Sequence, residues 1–270
     1  MELPEALILS QQMEKELVGK RISGIEVVNP KCLNMPFEEV QKIIKGKKVT
    51  SVKAKGKWLF ISLNTHIILF NPGMGADLLY FTSDSNVPEK YQIKMEFEDK
   101  TGFTIHVSWF CYLHLVASEN LQDHKRTAQL GMTPLDESFT LEYFMDLLAK
   151  KRGYIKSFLL NQKNIAGIGN FYIHDILFSA KIHPLRKIPS LTREEIEALY
   201  HSMQTLLSKS VELRGLRYER DFYGNRGQFN EEDYFKVGYN SGLCPVCNTH
   251  VQKIKTGSTS SYVCPKCQPV

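Results

Sequence analysis

Asn161-Gln162-Lys163-Asn164-Ile165-Ala166-Gly167-Ile168-Gly169-Asn170 runs straight into the apolar stretch Phe171-Tyr172-Ile173-His174-Asp175-Ile176-Leu177-Phe178. Two glycines allow a tight backbone turn just before a helix starts. The unpaired N–H groups of a helix N-terminus, together with its dipole, favour a phosphate. Asn170 adds a side-chain amide donor at that point. An ordinary capped helix accounts for the same residues. The nearby Lys156 and Lys163 shift the reading toward phosphate binding.

A second stretch lies at the end of the chain. Cys244-Pro-Val-Cys247 and Cys264-Pro-Lys-Cys267 form two Cys-x-x-Cys turns separated by sixteen residues. Zn²⁺ takes four tetrahedral thiolates, and two such turns a hairpin apart supply them. One structural, closed zinc site is expected, with no open position for chemistry. Cys32 and Cys111 have no x-x-Cys partner, so the cysteine pattern predicts a reducing cytosol rather than a disulfide framework.

The 270 residues suffice for two domains with cores of their own. Hydrophobic content of 43% and charged content of 23% are ordinary globular values. The net charge is only +5, yet 34 Lys and Arg can gather on one face suited to an anionic polymer. No apolar run reaches a membrane-spanning length of about 18 residues. The first residues lack the basic region of a signal peptide.

Apolar spacing predicts helices at 6–19 and 36–44. Seven short strand-like segments follow, at 49–54, 58–63, 66–70, 76–81, 91–98, 102–106 and 110–116. Their number and spacing predict a β-sandwich. The polar stretch 117–129 reads as a linker. Helices are then expected at 141–149, 155–160, 171–178 and 191–207. Residues 214–240 are rich in Arg, Gly, Tyr and Asp without a period, and read as a long functional loop.

Two more groups bear on chemistry. Lys53-Ala-Lys55-Gly56-Lys57-Trp58 is a basic run at a strand-turn-strand junction; it is either a solvated hairpin or a phosphate clamp. The N-terminal amine has a reference pKa of roughly 8 against about 10.4 for lysine. It is therefore the better nucleophile near neutrality, and Glu2 beside it can serve as acid or base. Leu3, Pro4 and the immediate helix predict a held terminus instead of a frayed one.

The whole set resembles the formamidopyrimidine-DNA glycosylase and endonuclease VIII family. The likeness spans residues 1–267. It is carried in order by Glu2-Leu-Pro-Glu5, Gly56-Lys57-Trp58, Pro72-Gly-Met74-Gly75 and Leu130-Gly-Met-Thr-Pro-Leu135. Ile155-Lys156, the 161–170 segment, Ala180-Lys-Ile-His-Pro184 and the cysteine quartet complete it. The resemblance implies an α+β multidomain protein. An N-terminal β-sandwich catalytic domain with flanking helices would occupy 1–117, followed by a linker at 118–135. A helix-two-turn-helix DNA-binding domain would cover 136–240, with a lesion-covering loop at 214–240. A β-hairpin zinc finger would cover 241–270.

It also implies base-excision repair: a glycosylase with apurinic-site lyase activity that flips a damaged base out of double-stranded DNA for attack at C1′. On this carry-over Met1 and Glu2 are catalytic, and Lys57 holds a phosphate at the catalytic site. Lys156 and Asn170 contact DNA phosphates, while Met74, Trp109 and Phe110 fill or flank the gap in the stack. Cys244, Cys247, Cys264 and Cys267 bind zinc. A monomer in a bacterial-type cytoplasm, associated with the nucleoid, is expected.

Three departures matter. The family usually begins Met-Pro-Glu-Leu-Pro-Glu and uses the proline amine; here Met1 stands directly before Glu2. Either the primary amine of Met1 acts, or chemistry is weakened and a damaged-DNA or abasic-site binding protein remains. Thr259 takes the place of a finger arginine that grips phosphate, a loss of about 1.5–3 kcal/mol for a charge-assisted contact. Trp109-Phe110 stands where the 8-oxoguanine branch reads cytosine with arginine, so opposite-base selection is expected to relax. Oxidised pyrimidines or a bulkier adduct are the expected lesions.

Overall fold

The computed structural model describes residues 1–73, 75–85, 87–109, 111–230 and 242–270. Two compact units emerge: Met1–Gln129 with Leu213–Gln228, and Leu130–Glu212 with Phe229–Val270.

The first unit opens with helix α1 (Leu3–Leu17). It begins earlier than apolar spacing alone predicts. Glu2 and Glu5 form a capping box at its start, with the Glu2 N–H donating to Glu5 Oε2 at 3.1 Å. Pro4, in the first turn, has no N–H that the helix would leave unsatisfied. Among the described residues eight strands follow, with α2 (Phe37–Ile44) after the first. They are β1 (Ile22–Val27), β2 (Ser51–Lys55), β3 (Trp58–Leu63), β4 (His66–Asn71), β5 (Asp77–Phe81), β6 (Ile93–Phe97), β7 (Gly102–His106) and β8 (Tyr112–Ala117). Among the described residues the strands pair antiparallel with one another, in two four-stranded sheets ordered β1-β6-β7-β5 and β2-β3-β4-β8.

Alternate residues of both sheets share one core. Ile25, Met95, Phe103 and Ile105 come from one sheet, and Leu59, Ile61, Phe70 and Leu113 from the other. Leu9, Met13 and Leu17 of α1 close the same core. The expected β-sandwich with flanking helices is therefore present.

Two boundaries differ from the sequence reading. The stretch expected as a linker carries a 3₁₀ turn at Ser118–Asp123, and the first unit runs to Gln129. Leu213–Gln228, expected to belong with the helical domain, clusters instead with the sandwich. The cause is one aromatic side chain. Phe222 is fully buried in the sandwich core, 5.4 Å from the Tyr80 ring and 5.9 Å from the Phe103 ring. Tyr80 N–H donates to the Phe222 carbonyl at 2.8 Å. Gln12 of α1 adds two bonds, donating to Asp221 Oδ2 (2.9 Å) and accepting from Phe222 N–H (2.8 Å). The segment closes on itself where Gln228 N–H meets the Leu213 carbonyl at 2.7 Å. There Gly227 lies so close to Gly215 that a Cβ would come within 2.0 Å of its carbonyl oxygen.

The second unit holds α3 (Leu141–Ala149), α4 (Ile155–Leu160), α5 (Tyr172–Ser179) and α6 (Arg193–Glu212), then the hairpin β9 (Gln252–Thr256) and β10 (Thr259–Val263). Among the described residues, no helix is long and apolar enough to cross a membrane.

Truncation of the plug tests how the loop is held. Phe222→Ala is expected to destabilise the protein by about 3–5 kcal/mol and to increase proteolytic cutting within 213–228. A denaturation midpoint and cleavage pattern like those of the wild type would show that the loop docks by other means.

Candidate active site and nucleic-acid interface

The N-terminus is held from two sides. The Met1 side chain is only 4% exposed and packs on the sandwich core. Its α-amine donates to the Gly73 carbonyl at 3.3 Å and lies 3.4 Å from Glu219 Oε1. Glu2 is buried beside it at the head of α1. Met1 and Glu2 are thus together, and Glu219 joins them from the docked loop. Sequence reasoning missed Glu219. No spacing ties it to residue 1, and only the burial of Phe222 three positions on brings it there.

Lys57 stands half-buried at the β2–β3 turn, where Gly56 takes φ 58°. Its neighbour Trp58 is buried, stacked on Tyr112 at 5.9 Å and edge-on to His124 at 5.8 Å. The turn is therefore anchored by an aromatic cluster, which fixes where the lysine emerges. Trp109 is 78% exposed and lines a cavity of about 540 Å³ with Lys31, Cys32, Gln92 and Tyr112. Met74 and Phe110 lie outside the described residues.

In the second unit the 161–170 segment is a folded turn. The Gln162 side chain staples it, accepting from Gly167 N–H (2.8 Å) and donating to the Ile168 carbonyl (2.9 Å). Gly167 needs its φ of 108° to make the turn. Leu130-Gly131-Met132 packs against it, with Gly131 N–H donating to the Gln162 carbonyl at 2.9 Å. A Cβ on Gly131 would sit 2.4 Å from the Asn164 carbonyl oxygen, so only glycine fits. Ile165, Ala166 and Ile168 are fully buried. Asn170 is exposed at the head of α5.

The zinc expectation meets a suitable geometry. The four Sγ atoms of Cys244, Cys247, Cys264 and Cys267 all lie within 4.8 Å of one another. Sγ–Sγ separations of 3.7 Å (244–267), 3.4 Å (247–264) and 3.5 Å (267–247) approach the edge of about 3.8 Å of a tetrahedron with Zn–S bonds of about 2.3 Å. The Thr249 hydroxyl pulls the Cys247 thiol down to about 6, while burial and the neighbouring thiols push Cys267 up to about 12. Four thiolates here need a cation to coexist. The donor set fits one structural Zn²⁺.

Two expectations are corrected. Lys156 does not offer its ammonium to solvent: the residue is 2% exposed. Its Nζ reaches Thr256 Oγ1 (3.0 Å), Thr259 Oγ1 (3.1 Å), the Ser260 carbonyl (2.9 Å) and Ser261 Oγ (2.8 Å). Here it ties α4 to the zinc hairpin. Thr259, in turn, is not the presented tip. It is the first residue of β10, paired with Thr256 across the two-residue turn Gly257-Ser258. Its hydroxyl also donates to the Thr256 carbonyl at 3.2 Å. Thr259 is thus one wall of the cage around the buried lysine.

Comparison with known proteins agrees with this anatomy. Residues 1–107 match the family model described as the formamidopyrimidine-DNA glycosylase N-terminal domain, and 130–220 the formamidopyrimidine-DNA glycosylase H2TH domain. Residues 243–270 match a zinc finger found in FPG and IleRS. A formamidopyrimidine-DNA glycosylase of Pelotomaculum thermopropionicum is 34% identical, over 100% of this chain and 99% of that protein. One of Streptococcus pneumoniae is 30% identical, over 99% and 98%. A solved Lactococcus lactis Fpg in complex with abasic-site DNA superposes with a TM-score of 0.89 at 27% identity, covering all of both chains.

Burial lowers the Lys156 ammonium to about 8 from its ordinary 10.5. Between those values the unfolded chain binds a proton that the folded one has lost, so stability rises with pH across that window. Relative to Lys156→Met, the wild type is expected to gain stability as pH rises from about 8 to about 10.5. The variant should already be weaker near neutrality by about 1–3 kcal/mol, because its partners lose a donor. Denaturant titrations of the zinc-loaded proteins check both; a pH-independent difference would contradict the burial.

Proposed function

The chain belongs to the formamidopyrimidine-DNA glycosylase family, and we propose that it excises damaged bases and cleaves the abasic site with the Met1 α-amine as nucleophile. The observation that carries this reading is the held amine: a primary amine fixed at a carbonyl and a carboxylate, with Glu2 buried beside it. A frayed terminus would have neither partner.

The chemistry then runs within the first unit. The neutral amine attacks C1′ of a flipped nucleotide, and the C1′–base bond breaks with its electron pair leaving on the base. Glu2 protonates the sugar oxygen, so that the ring opens to a Schiff base. Elimination of the 3′ phosphate follows from that electron sink. Lys57 and Asn170 hold DNA phosphates. Trp109 offers an exposed face for stacking on an unpaired base rather than a bidentate edge reader, which fits relaxed opposite-base selection. Oxidised pyrimidines or bulkier adducts are the proposed lesions.

The metal is one structural Zn²⁺ that staples the hairpin. The partner is double-stranded DNA with a damaged base or abasic site, bound by a monomer in the cytoplasm at the nucleoid. A binding-only protein of the same fold is the weaker reading. Relatives named as the enzyme match at 30–34% identity over the full length, and the amine stands ready.

Borohydride trapping on abasic DNA tests the nucleophile. A covalent adduct is expected, lost when the N-terminal amine is acetylated. Glu2→Gln should slow base release by about 10²-fold or more while leaving DNA affinity near the wild-type value. Trapping that survives acetylation would rule Met1 out. In a base-release panel, excision confined to 8-oxoguanine opposite cytosine would overturn the proposed lesion class.

A further inference from the structure

The Met1 amine has a carboxylate neighbour that the reaction so far does not use. We propose that Glu219 is the proton acceptor of the N-terminal amine. Its carboxylate holds the resting ammonium and takes the proton that the nitrogen must lose before it attacks. This rests on the reading that the Met1 amine is the nucleophile.

Three features of the structure lead there. The first is geometry: Glu219 Oε1 lies 3.4 Å from the amine nitrogen, and the Gly73 carbonyl fixes the amine from another direction at 3.3 Å. The second is environment. The Met1 side chain is 4% exposed and that of Glu219 22% exposed, so this pair is less screened than a surface ion pair. The third is rigidity. Glu219 is no stray side chain of an open loop. Its backbone carbonyl accepts from Gly227 N–H at 3.4 Å, and its own N–H donates to the Leu216 carbonyl at 3.0 Å. Asp221 and Phe222 pin the same segment to α1 and the sandwich core.

The charged groups around Glu219 do not offer a better acceptor. It shares a small cleft with Glu5 of α1 and with Arg214, Arg220 and Asp221 of its own segment. Glu5 is committed to the Glu2 N–H at 3.1 Å. Asp221 accepts from Gln12 (2.9 Å), Tyr223 N–H (3.0 Å) and Asn225 N–H (2.8 Å). Glu2 faces the first turn of α1 in the capping box. Glu219 is the carboxylate that the structure aims at the nitrogen.

The step balances as a proton transfer followed by attack. One N–H⁺ proton moves to the Glu219 carboxylate. The freed lone pair then forms the N–C1′ bond at the aldehyde of an abasic site, and a second proton of the nitrogen passes to the former carbonyl oxygen, giving a neutral carbinolamine. Glu219 returns its proton to that hydroxyl, which leaves as water, and the nitrogen's lone pair closes the protonated Schiff base.

The experiment compares wild type, Glu219→Gln and Glu219→Asp on DNA carrying an abasic site. Single-turnover borohydride trapping is followed from about pH 6 to about pH 9.5. Affinity for a non-reactive tetrahydrofuran-site duplex is measured alongside. Glu219→Gln is expected to slow trapping at least about tenfold near pH 7. That deficit should shrink toward the alkaline end of the range, where hydroxide takes the proton without help from the carboxylate, with affinity unchanged and Glu219→Asp recovering part of the rate. Identical rate–pH profiles for wild type and Glu219→Gln would overturn the inference. So would a loss of rate that is the same at every pH, with or without weaker binding. If the wild type itself binds the duplex but yields no adduct, the nucleophile reading fails and takes this inference with it. That result cannot be confused with a wild type that traps normally beside an equally active Glu219→Gln.

Discussion

A nucleophile at the first residue works only if the chain's end is held still, and helix α1 is what holds it. An N-terminal residue has no preceding peptide bond, so nothing constrains it from one side. Here the capping box of Glu2 and Glu5 starts the helix at Leu3, and Leu9, Met13 and Leu17 bury the rest of it in the sandwich core. The Met1 side chain packs on that core, while its amine meets Gly73 and Glu219. The same helix carries Gln12, whose side-chain amide fixes Asp221 and Phe222. One helix therefore orients the amine and also anchors the segment that brings Glu219 to it.

The second unit shows the same logic at the other end of the chain. A hairpin of two five-residue strands is marginal alone in water. Four thiolates around a cation secure its base, and Lys156 secures its far end from beneath. A buried ammonium is costly unless its donors are satisfied. Two threonine hydroxyls, a serine hydroxyl and a carbonyl surround this one. Thr259 is part of that cage. Its hydroxyl accepts from Lys156 and donates to the Thr256 carbonyl, so it joins the lysine to the turn of the hairpin.

Much of this was legible in the sequence, and the reasons are physical. The period-2 segments, the two Cys-x-x-Cys turns and the glycine turn before α5 are local patterns, and each appears where expected. Burial of Met1 and Glu2 was foreshadowed by Leu3 and Pro4. What sequence could not show depends on contacts between distant positions. Lys156 reads as a phosphate ligand because lysines usually face water, and its burial rests on residues a hundred positions away. The segment Leu213–Gln228 reads as a loop of the helical domain because it follows α6. Phe222 reassigns it, and one aromatic in a charged stretch carries no period to announce that it is core.

If Met1 supplies the nucleophile, as proposed, Glu219 bears on one chemical difference between a primary amine and a proline. A proline is a secondary amine, and its iminium is permanently charged because nitrogen has no proton left to lose. A primary amine gives an imine that is neutral until protonated, and only the protonated form draws electrons strongly enough to drive elimination. A primary-amine nucleophile therefore has to keep, or regain, a proton on the imine nitrogen that a proline iminium does without. A carboxylate 3.4 Å from the nitrogen can serve both directions, as acceptor before attack and as counterion to the protonated imine afterwards. On the proposed reading Met1 and Glu219 belong together: the docked loop supplies a negative charge that favours the protonated over the neutral imine.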